Sequence, residues 1–456
     1  MTTTQAYRPD SRIPELGSAF FDAVEPARFP AATPRFLNRR AAEPLGLADV
    51  DWETHFCRFE PLPDNLPQPL ALRYHGHQFR SYNPELGDGR GFLFAQLRAP
   101  DGRLLDLATK GSGQTPYSRF GDGRLTLKGA VREVLATEML EALGVNTSRT
   151  FAVYETGEEL VRGDEPSPTR SAVLTRLSHG HIRIGTFQRL TFQEDAENLA
   201  RLVRYCLEHL YGEDPEAGAV RLFDLIGQAT ARLAASYMAA GFVHGVLNTD
   251  NINVTGESFD YGPWRFTPDW DPQFTAAYFD QTGLYAFGRQ PEAIQWNLAQ
   301  LAGCLATVAE AAPISDLLRG WADHFQAALV DALLTRLGVG RIDSDADRAL
   351  AKAMVIALAT RTVGIDRFFF DWRGGRVPDD PRYGEPTFQA LPALLEGRRR
   401  SPTHDYWSEA EPCSLHIEEV EAIWAPIAQD DDWSAFDAKV AAIRRMGEAM
   451  LDGPPA

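Results

Sequence analysis

The chain has 456 residues, of which 44% are hydrophobic and 24% are charged, and its formal net charge is −18. This balance is typical of a folded globular protein and excludes a disordered chain. At roughly 150 residues per domain, the length predicts two or three domains or lobes. An acidic surface repels phosphate backbones and anionic membranes, so we expect neither nucleic acid nor a membrane as a partner. A bound nucleotide would need a local pocket of Arg and Lys.

The cysteines and the hydropathy pattern bear on the cellular compartment. Cys57, Cys206, Cys304 and Cys413 are far apart and lack any metal-ligand spacing, so we interpret them as reduced thiols. The first residues carry neither the basic nor the apolar stretch of a secretory signal, and the longest apolar run is about seven residues. We therefore expect a cytoplasmic protein.

Residues 51–187 are rich in Gly, Pro and short alternating segments. Segments 92–98 and 103–109 flank an Asp-Gly pair, which predicts a β-hairpin. Two further strands are predicted over 151–155 and 171–177. One helix is predicted over 127–143, because its apolar stretch ends at Gly144, a residue type common just past helix ends.

From about residue 195 the apolar residues recur at steps of three and four, which predicts helices. The clearest covers 219–240, and others are predicted over 196–210, 291–312, 314–337, 345–363 and 433–450. The expected architecture is α+β and bilobal. A strand-rich N-terminal lobe with the glycine-rich loops would span 1–190, and a helical C-terminal lobe would span 191–456.

The stretch from Gly87 to Gly129 combines glycine with basic charge. Nine of its residues are glycines, about three times the number expected from an average usage of ~7%. Glycine lets backbone N–H groups approach a phosphate closely. Turns on a solvated surface would explain the same pattern, and neither common glycine-rich nucleotide motif is matched. The interleaved basic residues that would attract a phosphate are Arg90, Lys110, Arg119 and Arg124.

Four charged residues, one within this stretch and three beyond it, suit a nucleotide. Lys110 closes a predicted strand and Glu133 lies on the following helix, and such an ion pair positions phosphates in kinases. However, the presence of one Lys and one Glu in a sequence does not by itself indicate that they form an ion pair. Arg176 and Arg183 carry planar donor groups that suit phosphate, but their spacing alone favours surface salt bridges.

Residues 244–262 follow the helix predicted over 219–240 and contain a kinase-like pattern. In small-molecule kinases related to protein kinases, the loop reads His-Gly-Asp, with an Asn five residues after the Asp and a metal-binding Asp after a further strand. Here His244-Gly245, Asn251 and Asp260 fall at that spacing, but Val246 occupies the position of the first Asp. Because valine cannot accept a proton, this substitution argues against ordinary kinase chemistry.

An acid is nevertheless present four residues further on, at Asp250. Its neighbour Asn251, together with Asp260, offers hard oxygen ligands of the kind that Mg²⁺ prefers. The alternative is a polar turn held by hydrogen bonds from Asn and Asp side chains.

Several long stretches carry a more specific pattern, and together they resemble the selenoprotein O (SelO) family from about residue 15 to residue 310. These stretches are Gly76-His-Gln-Phe79, Asn83-Pro-Glu-Leu-Gly-Asp-Gly-Arg-Gly91, Lys110-Gly-Ser-Gly-Gln-Thr-Pro-Tyr-Ser-Arg119, Gly121-Asp-Gly-Arg124, His244-Gly-Val-Leu-Asn-Thr-Asp-Asn251, Asp260-Tyr-Gly-Pro263 and Gln290-Pro291 with Trp296-Asn-Leu298. The resemblance implies a protein-kinase-like fold in a family of pseudokinases that act as protein adenylyltransferases. Members bind ATP in a flipped orientation, transfer AMP to Ser, Thr or Tyr, and release pyrophosphate.

The resemblance also implies roles for individual residues. Asp250 matches the proton acceptor, and Asn251 and Asp260 match the Mg²⁺ ligands. The residues that match nucleotide contacts or support them are Gly87, Gly89, Arg90, Lys110, Asp122, Gly123, Glu133, Arg176, Arg183 and Asp260. The expected partners are ATP and proteins bearing Ser, Thr or Tyr hydroxyls, with Mg²⁺, or Mn²⁺ in its place.

The sequence departs from the family pattern at several points, so it resembles a divergent, bacterial-type member. Gly180 replaces a usual Ser two residues before Ile182, and His75 and Arg80 stand where small residues are usual. The family's C-terminal Asn-Pro…Leu-Arg-Asn motif is not recognisable, and no Cys follows Cys413.

Three alternatives to AMP transfer stay open. The first is uridylyl transfer from UTP, because no residue pattern identifies the base. The second is a true kinase in which Asp250 replaces the acid missing at Val246. The third is a nucleotide-binding scaffold without catalysis, which the retained Asp250, Asn251 and Asp260 argue against.

Overall fold

The computed structural model describes residues 6–163 and 165–451, and most of its strands fall in the first 178 residues. The strands are β1 (Phe21–Ala23), β2 (Thr33–Leu37), β3 (Leu70–Leu72), β4 (Gly76–Gln78), β5 (Ser81–Asn83), β6 (Leu93–Arg98), β7 (Leu104–Lys110), β8 (Leu125–Thr126), β9 (Arg149–Leu160), β10 (Thr169–Ser178), β11 (Phe242–Val243) and β12 (Arg265–Phe266).

The helices dominate the remainder of the described chain. They are α1 (Arg39–Ala42), α2 (Trp52–Phe56), α3 (Leu127–Ala142), α4 (Ile184–Phe192), α5 (Ala196–Tyr205), α6 (Gly218–Ala240), α7 (Gln290–Leu305), α8 (Ala311–Leu337), α9 (Ser344–Leu358), α10 (Ile365–Asp371), α11 (Leu391–Leu394), α12 (Ile417–Asp430) and α13 (Ser434–Leu451). The expected mixed architecture, strand-rich first and helical second, is confirmed. Among the described residues, no helix is both long and apolar enough to cross a membrane.

The N-terminal part is organised around one antiparallel sheet. Its strand order is β1-β3-β6-β7-β10-β9-β2, and β8 pairs with β10. The hairpin expected around Asp101-Gly102 is present as β6 and β7, with Arg98 opposite Leu104. The strands expected over 151–155 and 171–177 are confirmed and are longer in the structure, because β9 and β10 extend one another's pairing to Leu160 and Thr169.

The two faces of this sheet belong to two hydrophobic cores. Residues alternate along the strands, so Leu93 and Leu174 face one core while Phe92 and Val173 face the other. The first core contains α3 and continues into α6 and α8 of the helical part. The second is confined to residues 24–177 and is closed by α1, α2 and the segment after them.

Most expected helices are present, but those expected over 291–312 and 345–363 end early, the second because α9 stops at Leu358. The helix expected over 127–143 is α3, which ends before Gly144 at a φ of +77°. The helix expected over 291–312 is wrong at its end: α7 stops at Leu305, and α8 starts at Ala311. Pro313 lies in the first turn of α8, where its missing N–H breaks no helical hydrogen bond. Because a proline cannot continue a helix from the preceding turn, one helix has to end before the other starts.

Candidate active site

A cleft of 830 Å³ lies between the glycine-rich segments of the sheet region and residues 244–262. It is lined by most of the residues expected at a nucleotide site: Gly87, Gly89, Arg90, Lys110, Asp122, Gly123, Arg176, Asp250, Asn251 and Asp260. Glu133 and Arg183 stand behind the wall of the cleft and bond to residues that line it. The structure therefore brings all the expected site residues together.

The expected ion pair between Lys110 and Glu133 is present and buried. Lys110 ends β7, Glu133 lies on α3, and Lys110 Nζ is 2.5 Å from Glu133 Oε2. Lys110 Nζ also donates to the carbonyl of Tyr261 at 3.2 Å. Burial lowers the pKa of Lys110, and the Glu133 carboxylate opposes that shift. The pair thus fixes the ammonium group at the edge of the cleft beside the segment that carries Asp260.

Asp260 is held by two arginines. Arg176 Nη1 donates to Asp260 Oδ1, and Arg183 Nη1 donates to Asp260 Oδ2 at 3.0 Å. Burial alone would raise the pKa of Asp260, but Arg176, Arg183 and Lys110 more than offset it and hold the pKa well below its usual range. Asp260 is therefore an ionised carboxylate.

The interpretation of Arg176 and Arg183 as surface salt bridges is wrong, since their exposed fractions are 5% and 1%. The spacing of two residues along the chain does not indicate how deeply they are buried in the folded protein. Arg176 lies on β10, an interior strand of the sheet, and Arg183 immediately precedes α4. Only Arg176 lines the cleft directly, while Arg183 lies behind Asp260 and also donates to the carbonyl of Asp250 at 3.0 Å.

The arginines have supports that sequence patterns did not reveal. Arg176 Nε donates to His181 Nε2 at 3.1 Å, and His181 Nδ1 lies 3.1 Å from Asp106 Oδ2. Burial lowers the pKa of His181, so the neutral ring accepts from Arg176 and donates to Asp106. The guanidinium of Arg183 stacks over Tyr74, 4.1 Å from the ring centroid. His181 is only five residues from Arg176, but Asp106 and Tyr74 are far from their partners in sequence, so no local pattern indicated the set.

Asp250 lies in a short 3₁₀ turn, Thr249–Asn251, that faces the cleft. Its carboxylate atom Oδ1 is buried and has no hydrogen-bond partner among the described residues. Burial raises the pKa of Asp250 to about 6, against the opposing influence of Arg183. A desolvated carboxylate with an uncommitted oxygen is suited to accept a proton.

The pair Asn251 and Asp260 fits a small divalent cation. Asn251 Nδ2 donates to the carbonyl of Val246 at 2.8 Å, which orients the amide and leaves its oxygen as the free ligand atom. Mg²⁺ commonly takes only one or two protein oxygens and completes its shell with phosphate and water. In the described part of the chain, no group of three or more His, Cys, Asp or Glu residues forms a metal site. A cation here would therefore depend on the phosphates of a bound nucleotide.

Tight backbone packing explains two of the glycines in the cleft wall. Gly123 has a φ of +70°, and a Cβ there would lie 2.2 Å from the backbone of Gly113. A Cβ at Gly87 would lie 2.3 Å from the ring of Tyr117. Side chains are excluded at both positions, so the glycine-rich segments pack closely enough to form a continuous wall.

The outer rim of the cleft is more exposed than its base. Asp122 is paired with Arg162, whose Nη1 lies 2.8 Å from Asp122 Oδ2. Arg90 and Arg119 are exposed. The rim therefore offers positive charge that solvent can reach, in a chain that is strongly acidic overall.

The hairpin of β4 and β5, which sequence patterns did not predict, lies against the turn that carries Asp250. The N–H of His77 donates to Thr249 Oγ1 at 2.6 Å, and Thr249 in turn donates to Gln188 on α4. A Cβ added at Gly76 would lie 2.9 Å from Asp250 Oδ1. The resemblance had drawn attention to Gly76-His-Gln-Phe79 only as a motif, and the structure gives it a position beside the carboxylate.

Comparisons with known protein sequences bear on the family to which this chain belongs. The sequence profile of a family described as "Protein adenylyltransferase SelO" matches residues 3–379. A relative from Synechococcus elongatus, named "Protein nucleotidyltransferase YdiU", is 42% identical over 487 residues, covering 99% of this chain and 97% of the relative. A relative of the same name from Gloeobacter violaceus is 43% identical over 466 residues, covering 94% of this chain and 93% of the relative.

A more distant relative of that name, from Pseudomonas putida strain F1, is 37% identical over 377 residues and covers 79% of this chain and 74% of its own. The profile match includes the residues that line the cleft and the segment 244–262. The chain belongs to the SelO family and is an enzyme of the nucleotidyltransferase class.

Proposed function

We propose that this enzyme is a Mg²⁺-dependent protein adenylyltransferase that transfers AMP from ATP to Ser, Thr or Tyr hydroxyls and releases pyrophosphate. The observation that carries the proposal is the buried carboxylate of Asp250, with Oδ1 uncommitted, in the same cleft as Lys110, Arg176 and Asp260. The family description, adenylyltransferase, supports AMP as the transferred group. The strand-rich and helical parts on either side of the cleft support a pseudokinase fold.

The reaction is a displacement at the α-phosphate of ATP. The oxygen of the acceptor hydroxyl bonds to the α-phosphorus, and the bond from that phosphorus to the β-phosphate oxygen breaks. Asp250 Oδ1 accepts the hydroxyl proton as the new bond forms. The products are the AMP-modified side chain and pyrophosphate.

The cationic residues hold the phosphates while this happens. Lys110, kept in place by Glu133, and Arg176, kept in place by His181, present positive charge to phosphate oxygens. Arg183 supports Asp260 and the Asp250 turn from behind. Asn251 and Asp260 would hold Mg²⁺, which would offset the charge that develops on the leaving pyrophosphate.

Val246 lines the cleft where related kinases carry an acid. A valine cannot orient the acceptor for attack on a γ-phosphate, which makes the kinase alternative weaker than nucleotidyl transfer. Uridylyl transfer stays a second candidate, because the name nucleotidyltransferase on the relatives does not specify the base.

The decisive experiment incubates the purified chain with Mg²⁺ and a pool of cytosolic proteins. ATP labelled at the α-phosphate, ATP labelled at the γ-phosphate and UTP labelled at the α-phosphate are supplied in parallel. We expect label on protein from α-labelled ATP and none from γ-labelled ATP. The Asp250→Asn variant should lose transfer by about 10²- to 10⁴-fold while retaining nucleotide binding. Asp260→Ala should lose transfer because the metal ligand is removed.

A suitable control is Asp224→Asn, since Asp224 lies on α6 outside the cleft and pairs with Arg221. Label from γ-labelled ATP would establish a kinase instead. Stronger labelling from UTP would identify a uridylyltransferase. Full turnover by Asp260→Ala would show that the reaction does not require Asp260 as a metal ligand.

A further inference from the structure

Three aromatic side chains are exposed together beside the cleft. Phe79, Tyr278 and Phe279 are 38%, 84% and 46% exposed, and we call them the aromatic ledge. The ring centroids of Phe79 and Phe279 are 5.8 Å apart, and those of Tyr278 and Phe279 are 5.1 Å apart. Isolated exposed apolar side chains are common on soluble proteins, but a contiguous group of large ones marks a binding surface.

The ledge is attached to the turn that carries Asp250. The N–H of Phe79 donates to Asn248 Oδ1 at 3.1 Å, and the hydroxyl of Tyr285 donates to the same oxygen at 2.7 Å. Tyr285 also packs against Phe79, with ring centroids 5.0 Å apart. Asn248 is only two residues before Asp250, a separation that the chain spans in at most about 7 Å.

The backbone at Phe79 adopts an unusual conformation that keeps this ring at the surface. Phe79 and Arg80 form the two-residue turn between β4 and β5, with φ of +49° and +63°. Turns of this kind normally use Asn-Gly, because larger side chains disfavour positive φ. A bulky residue persists in such a conformation where surrounding contacts enforce it, and such residues cluster at functional sites. The enforcing contacts here are those to Asn248 and Tyr285.

We propose that the aromatic ledge binds the acceptor segment of the protein substrate and selects an aliphatic or aromatic side chain within a few residues of the modified hydroxyl. This inference rests on the proposed function, since it names the acceptor of the same site. Gln78 lines the same cleft as Asp250 and directly precedes Phe79, so the ledge adjoins the side of the cleft from which an acceptor hydroxyl could reach Asp250. The continuity of the ledge with the catalytic cleft favours the acceptor over any other occupant.

The test uses the full chain and a library of short peptides, each with one central Ser, Thr or Tyr, in which every flanking position is varied in turn. Transfer of label from α-labelled ATP and from α-labelled UTP is measured for each peptide. The variant is Tyr278→Ser/Phe279→Ser, with Tyr278→Ser alone as a milder form. The matched control is Ile356→Ser, because Ile356 on α9 is 48% exposed and lies outside the cleft.

We expect the wild type to label peptides carrying Leu or Phe at a flanking position at least about tenfold better than the same peptides carrying Ser, the discrimination that one apolar contact gives. The double variant should lose that preference, while its nucleotide affinity, measured calorimetrically, stays unchanged. The Ile356→Ser control should keep the preference. Thermal melting shows that each variant is folded.

Two results would overturn the inference and leave the proposed function standing. One is label transfer without any apolar preference, or with a preference that the double variant retains. The other is a dimer of the wild type, seen by sedimentation, that the double variant abolishes, since a second copy would then cover the ledge. Nucleotide binding without label on any peptide or any protein, from either nucleotide, would instead defeat the proposed function itself.

Discussion

At the scale of single residues, the site depends on how closely the backbone approaches Asp250. Gly76 begins β4, and its missing side chain allows the hairpin to lie directly on the carboxylate. Gly185 at the start of α4 allows a similar approach, since a Cβ there would lie 2.1 Å from the carbonyl of His75. The position of Asp250 is thus set by two glycines as well as by its own turn.

Gly76→Ala tests this dependence. The added Cβ would lie 2.9 Å from Asp250 Oδ1, so the carboxylate has to move away from its position. We expect kcat to fall by about 10- to 100-fold, because small misplacements of a reacting group carry losses of this size. The KM for nucleotide should change little, since Lys110 and Arg176 are untouched. Steady-state kinetics of label transfer measure both quantities.

The control for this variant is Gly303→Ala, at a position in α7 where an added Cβ meets nothing within 4 Å. It should leave kcat unchanged. If Gly76→Ala also left kcat unchanged, Asp250 would not be the group that accepts the proton at this position.

At the scale of elements, the sequence predicted the strands and helices whose own residues form a recognisable pattern. The β6–β7 hairpin has its Asp-Gly turn, α6 and α13 have apolar residues on one face, and α3 has an apolar stretch that ends before Gly144. The strands β1 and β3 have only three residues each and exist because Phe21 pairs with Leu72 and Ala23 pairs with Leu70. Three residues are too few for a period to be read, so their existence depends on contacts about 50 residues away in sequence.

The site divides in the same way. Asp250, Asn251 and Asp260 could be identified from the sequence because they lie close together in one short segment with a kinase-like spacing. The supports could not be named, since Arg176, His181 and Asp106 meet only when β10 pairs with β7. The burial of Arg176 and Arg183 was missed for the same reason, because burial is a property of the assembled sheet and helices.

The helix α3 is held at two positions along its length, which connects the C-terminal helix to the site. Glu133, near the middle of α3, holds Lys110, and Glu138, one to two turns further along, accepts two hydrogen bonds from Arg444 of α13, at 2.7 and 2.8 Å. Glu138 is 3% exposed. A Cβ at Gly447 would lie 3.2 Å from Ala142, so the two helices pack closely. We infer that α13 helps to hold the helix that carries Glu133.

Arg444→Ala should therefore weaken both the fold and the site. Among the residues that the structure describes, this leaves the buried Glu138 carboxylate with Arg40, 3.7 Å away, as its remaining charged partner. We expect a loss of about 2 kcal/mol in the free energy of unfolding, below the 3–5 kcal/mol typical of fully buried pairs because Arg444 is partly exposed. Urea unfolding measures this loss, and transfer kinetics should show a raised KM for ATP through Glu133 and Lys110.

The neighbouring residue supplies the control, since Arg445 pairs with Asp405 and Glu409 at the surface. Arg445→Ala should change neither quantity appreciably, because exposed ion pairs are screened by solvent. Equal effects of the two substitutions would contradict a specific role for the contact between Arg444 and Glu138. Adding Glu138→Gln to Arg444→Ala should restore part of the stability, since it removes the unpaired charge.

At the scale of the whole molecule, the larger core does not stop at the expected boundary near residue 190. It contains Leu93, Leu174 and α3 from the sheet region together with α6, α8 and α13 from the helical region. The division into lobes over 1–190 and 191–456 stays a prediction about architecture. The shared core bears on a different property, namely whether either part is stable alone.

We predict that the chain unfolds as one cooperative unit. Separating residues 1–190 from 191–456 would expose the apolar face of α3 on one fragment and of α6 on the other, at roughly 25 cal/mol for each Å² of apolar surface. Calorimetry of the full chain should show a single transition, and ATP with Mg²⁺ should move the whole transition to higher temperature, because a ligand that binds only the native state stabilises it. The separated fragments give a second test.

Each fragment alone should lack the near-ultraviolet circular dichroism of packed aromatic residues. Mixing the two fragments is the control, since the shared core predicts recovery of that signal only in the mixture. Two resolved transitions, or a fragment 1–190 that melts cooperatively by itself, would show that the cores are independent and that only the cleft joins them.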